Sequence, residues 1–156
     1  MSNKRPMAKF PVAYDGERNV ITLDGRDGAT LMLGFLLKAK FGEAFDPDVL
    51  LHPQLARLMT SLREEAHGEQ RGGPEQGRAS SFSREALSTI ASTVAAESVR
   101  LGWWRMSAEA RVAYLQEVVA APYVLTADDV GQVLDDIESK LVRARKLVAA
   151  AEGSSA

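Results

Sequence analysis

The stretch from Leu125 to Ala151, LTADDVGQVLDDIESKLVRARKLVAAA, carries Val130, Leu134, Ile137, Leu141, Ala144 and Val148 at spacings of 4-3-4-3-4. An α-helix brings residues three and four apart onto one face, so these positions form a single apolar seam nearly three heptads long. Thr126 is suited to cap the start, with Leu125 and Val130 as a hydrophobic staple around it. Asp128, Asp129, Asp135, Asp136 and Glu138 fill the first half; Lys140, Arg143, Arg145 and Lys146 fill the second. That order complements the helix macrodipole at both ends. A helix of about 25 residues is roughly 37 Å long, close to the ~40 Å diameter of a compact domain of this size. Its C-terminal end is expected to reach past its own core, where Val142 and Leu147 add apolar surface away from the seam.

Working back from this helix, Pro122 ends a shorter one that starts after the Ser107 cap and presents Val112, Leu115 and Val119. A helix before that is expected from Ser83 to Gly102, with Phe82 and Leu87 as a staple and an inward face of Leu87, Ile90, Ala91, Val94, Ser98 and Leu101. Residues 67 to 80 contain four glycines and a proline and no large apolar side chain, which predicts a flexible loop. Asp46-Pro47 and Pro53 signal another helix running to about Ala66, with Leu51, Leu55, Leu58 and Leu62 as its packing stripe.

Near the N-terminus, Phe10 to Tyr14 and Asn19 to Leu23 favour β structure around Asp15-Gly16, a dipeptide suited to a tight hairpin turn. Asp27 can cap a first helix ending at Gly42. Its Leu31, Met32, Leu33, Phe35, Leu36, Leu37 and Phe41 point in nearly every direction, as in a central core helix or a subunit interface. The expected fold is mainly α, a bundle of about five helices with a small N-terminal β-hairpin. It occupies residues 10–151 as a single domain, between a mobile tail at 1–9 and a second tail at 152–156.

Composition narrows the function. The chain has 156 residues, 46% of them hydrophobic and 26% charged, which suits a protein with a core. There is no cysteine, which excludes disulfides, thiolate metal sites and thiol nucleophiles. No apolar segment follows the charged start, and the run from Leu31 to Leu37 falls far short of the ~20 residues of a membrane span. A cytoplasmic protein is expected. The formal charge of −2 is spread evenly, whereas duplex-binding proteins usually concentrate positive charge.

Two histidines, His52 and His67, are too few for a three-histidine metal site. Asp46, Asp48 and His52 straddle a helix start, where capping accounts for them better than metal ligation. No glycine-rich stretch has the form of a phosphate loop or dinucleotide fingerprint, and no serine sits in a nucleophile elbow. No cofactor is expected. Trp103-Trp104-Arg105 follows the helix-ending Gly102, and tryptophan and arginine are frequent hot-spot residues at protein interfaces. Adjacent indoles at a tight corner are hard to bury together, leaving one available to a partner.

The expected function is therefore a non-catalytic interaction or assembly subunit, binding itself or another protein. Its candidate surface comprises Trp103, Trp104 and Arg105 with Val130, Leu134, Ile137, Leu141, Val142, Leu147 and Val148; the hairpin edge could also serve. An alternative is a small regulatory protein contacting nucleic acid through the Trp103-Trp104-Arg105 corner and Arg100, together with Lys140, Arg143 and Lys146 of the last helix. A second is an enzyme whose site leaves no local motif.

Overall fold

A computed structural model of the chain describes residues 11–42, 45–67 and 82–154. The expected tail at 1–9, Phe10 of the first strand, the loop positions 68–80 and the last two residues lie outside the described residues. The fold is mainly α with an N-terminal hairpin. Strands β1 (Val12–Asp15) and β2 (Val20–Leu23) pair antiparallel, with Val12 opposite Leu23. Seven α-helices follow among the described residues: α1 (Gly25–Phe41), α2 (Pro47–Leu51), α3 (Pro53–His67), α4 (Arg84–Ala96), α5 (Ser98–Leu101), α6 (Ala108–Tyr114) and α7 (Ala127–Gly153).

The hairpin turn works differently from the expected tight two-residue form. Asp15 accepts hydrogen bonds from the Glu17 and Arg18 amides through its Oδ1, at 3.0 and 3.2 Å, and Asn19 takes the left-handed conformation with φ 54°. Asparagine tolerates that region because its short side chain bonds locally. The first helix also begins earlier than the expected cap: Asp24 is its N-cap position, and Asp27 lies in the first turn, complementing the dipole. The hairpin closes on this helix at Gly28, where a Cβ would sit 2.5 Å from the Pro11 carbonyl oxygen.

Among the described residues two apolar clusters hold the fold. The larger joins α2, α4, α7 and the residues directly after α6 through Leu50, Leu87, Ile90, Val94, Leu115, Val119, Val133 and Ile137, among others. The smaller joins α1 to α3 through Ala29, Leu33, Met59 and Leu62. The first helix is thus no central core helix; it packs along α3 and leaves Phe35 exposed. The expected single helix to Ala66 is interrupted at His52, which is extended because proline disfavours helical geometry in the residue before it. Each piece has its own cap: Asp46 Oδ1 accepts from the Asp48 amide at 2.9 Å, and His52 Nδ1 from the Leu55 amide at 3.4 Å. The break leaves Leu51 in α2, and the buried stripe of α3 is Ala56, Met59 and Leu62, with Leu58 exposed.

The second half of the chain follows its sequence pattern closely. Ser83 and Ser107 cap α4 and α6 by accepting from the Ala86 and Ala110 amides, each at 3.1 Å. The segment expected to run unbroken to Gly102 changes pitch at Glu97, and Gly102 ends it with φ 64°. After Tyr114 the chain takes one wider turn, Leu115–Val119, closed by a bond from the Ala120 amide to the Leu115 carbonyl at 2.8 Å. At the start of α7, Thr126 and Asp129 cap each other reciprocally at 3.0 and 3.2 Å. Replacing Thr126 with alanine is expected to cost about 1 kcal/mol, read as a lowered midpoint in urea unfolding.

The clusters meet at the connector before α7. Lys40 near the end of α1 is fully buried, and its Nζ donates to the Val118 and Ala121 carbonyls, both at 2.6 Å. Arg63 of α3 donates to the Pro122 carbonyl at 2.6 Å and lies over the Tyr123 ring. Phe41, Phe82 and Tyr123 complete the joint, with ring centroids 5.6 to 6.1 Å apart. Two basic side chains thus satisfy the Val118, Ala121 and Pro122 carbonyls where the chain leaves one helical segment and turns toward α7.

Candidate interaction surface

The seam of α7 divides at Leu141. Val130, Val133, Ile137 and Leu141 are buried against α4, with Leu134 packed at the edge of the same cluster. Val130, Ile137 and Leu141, expected as interface candidates, are therefore occupied by the chain's own core. Val133, absent from the expected seam, is buried because the contact surface on α4 is wider than a strict heptad ridge. From Val142 to Ser154 every residue is exposed. The helix continues through Glu152 and Gly153, positions expected to form a tail.

The chain therefore projects about 18 Å of helix beyond its last buried residue. This extension carries Val142, Leu147 and Val148, the last two 72% and 58% exposed. Ala144, Ala149, Ala150 and Ala151 suit it locally, since alanine has the highest helix propensity. Growing from an existing helix also avoids the cost of nucleation.

The tryptophan corner divides as well. Trp103 is 2% exposed and inside the core, which removes it from the candidate interface; Trp104 is 45% exposed. The two indoles begin a short 3-10 turn, Trp103–Arg105, so adjacent side chains diverge. Arg111 donates from Nε to the Trp103 carbonyl at 3.1 Å and lies over that ring. Trp104 is covered on one side by Arg145, whose guanidinium carbon is 4.1 Å from the ring centroid. The corner and the projecting helix, separate in sequence, thus form one continuous surface. Arg105 is exposed beside them.

The candidate phosphate contacts are interleaved with acids. Arg100 meets Glu97 at 2.6 Å and Asp48 at 3.1 Å, and the Glu97 hydrogen bond and charge push its pKa further up. Lys140 meets Asp136 at 3.3 Å. Arg143 and Lys146 lie on a shallow, open outer face of α7 together with Asp135, Glu138, Ser139 and Val142. Among the described residues, no three His, Cys, Asp or Glu side chains are grouped as metal ligands, and no helix is long and apolar enough to cross a membrane. Comparison with protein-family models, with curated proteins and with solved structures finds no match for this chain.

Proposed function

We propose that this chain is a non-catalytic assembly subunit that associates through the projecting end of α7 and the adjoining Trp104. The observation that carries this role is the run of exposed helix after Leu141, which displays Leu147 and Val148 with no buried cluster beneath them among the described residues. Holding large apolar side chains in water is unfavourable by roughly 1.5 to 3 kcal/mol each relative to burial. Association offsets that cost, and the stacked Trp104–Arg145 pair supplies the residue types that anchor interfaces. The nucleic-acid alternative draws less support, because Arg100 and Lys140 already face carboxylates. A cytoplasmic setting goes with this role and rests on the cysteine-free composition.

Native mass measurement on the tagged chain purified from its own cells tests the role. The expected result is a species heavier than one chain that is lost in Leu147→Asp/Val148→Asp. A single-chain mass in the parent, with no stoichiometric companion, would contradict it.

A further inference from the structure

One face of the projecting helix carries a short apolar stripe that reads the same from both ends. At about 100° per residue, Ala144, Leu147, Val148 and Ala151 share one face. Ala144 and Ala151 lie equally far from the midpoint between Leu147 and Val148, which is also the midpoint of the exposed helical segment, Val142 to Gly153. A face with this symmetry is complementary to itself under a two-fold axis, the symmetry that makes closed dimers. We infer that the projecting ends of two copies pair antiparallel about that midpoint, resting on the assembly role proposed above and naming its partner as a second copy of this chain.

The pairing sets Ala144 of one copy beside Ala151 of the other and brings each Leu147 and each Val148 beside its own mate. The outer layers are alanine, so the helix axes can approach closely, as small residues allow. Residues 142 to 153 of each copy overlap throughout, so the exposed segment is covered over its full length. Charge agrees with this orientation: Glu152, the acid of the segment, falls on the flank where Arg145 of the other copy stacks on Trp104. A parallel pairing in register would instead gather Arg143, Arg145 and Lys146 of both copies at one end of the contact, where like charges repel. The contact is short, so the association is weak and concentration-dependent.

The chain has no cysteine, so introduced thiols report orientation without background. Ala144→Cys and Ala151→Cys variants are oxidised separately and as a mixture. Antiparallel pairing predicts a disulfide-linked heterodimer from the mixture and little linkage in either variant alone. Homodimers from the separate variants, with none in excess in the mixture, would overturn the arrangement in favour of a parallel pair. Leu147→Asp is expected to weaken self-association at least about a hundredfold, because each substitution counts twice across the axis. Self-association undiminished by Leu147→Asp and without mixed linkage would overturn this pairing while leaving the assembly role standing through another surface. A chain monomeric by itself that retains a different protein released by Leu147→Asp would likewise overturn the pairing and keep the role. A chain monomeric at millimolar concentration with no retained partner would overturn both.

Discussion

Ile137→Ala is expected to destabilise the fold by about 4 kcal/mol, whereas Val148→Ala, on the same heptad seam, should change the stability of a single chain by less than about 0.5 kcal/mol. Ile137 is buried where α7 packs on α4, so truncation removes contacts on every side and leaves a cavity that helices on both sides resist closing. Val148 projects into solvent beyond the last buried residue, and alanine there improves helix propensity. Chemical denaturation of the two variants at dilute concentration measures the difference. Equal costs at both positions would mean that the whole seam is packed within one chain.

Lys40→Ala should cost about 3 kcal/mol, an unusually large effect for a lysine. The truncation empties a fully buried site and leaves the Val118 and Ala121 carbonyls without their donor. Burial also pushes the Lys40 pKa down from 10.5 to about 7. Below pH 7 the folded and unfolded chains both carry the proton, and the cost of the buried charge is fully present. Between pH 7 and 10.5 the unfolded chain holds a proton that the folded chain has released, so stability rises with pH, by at most about 1.4 kcal/mol per unit. The neutral amine keeps two N–H donors for the two carbonyls.

Above pH 10 the sign reverses at Tyr114, whose hydroxyl donates to the Leu51 carbonyl at 2.9 Å and whose pKa burial raises from 10.0 to about 12. There the folded chain holds the extra proton, and stability falls as pH rises through 12. Denaturation midpoints across this range should therefore climb from neutral pH and turn over near pH 10. Lys40→Met, which fills much of the site without a titrating group, should flatten the climb.

The parts of the fold legible in the sequence are those fixed by neighbours along the chain. Ser83, Ser107 and Thr126 each cap a helix within three residues of themselves, so their chemistry is written locally. The buried face of α4 followed from periodicity because that helix has a single packing direction. The break at His52 was also local, but it turns on Pro53 restricting its predecessor, which competes with proline as a helix-starting residue.

Lys40 was not legible: beside Lys38 it resembles an ordinary cation at the end of a helix, and its partners are supplied from 78 and 81 positions away. The division of the tryptophans, Trp103 inward and Trp104 outward, depends on the turn following Gly102. For the candidate surface, the sequence marked Val142, Leu147 and Val148, while the point where the core stops depends on how far α4 and its corner extend beside α7. The contact of Trp104 with Arg145 is likewise tertiary, and the clue available in sequence was the pairing of residue types.

Sedimentation equilibrium of the purified chain, run from micromolar to millimolar concentration beside Leu147→Asp/Val148→Asp, tests most directly whether the projecting helix associates with a second copy of itself. The mass of the parent chain should rise with concentration, while the variant stays at the mass of one chain with an unchanged thermal transition. Identical masses for the two proteins across the whole range would contradict it.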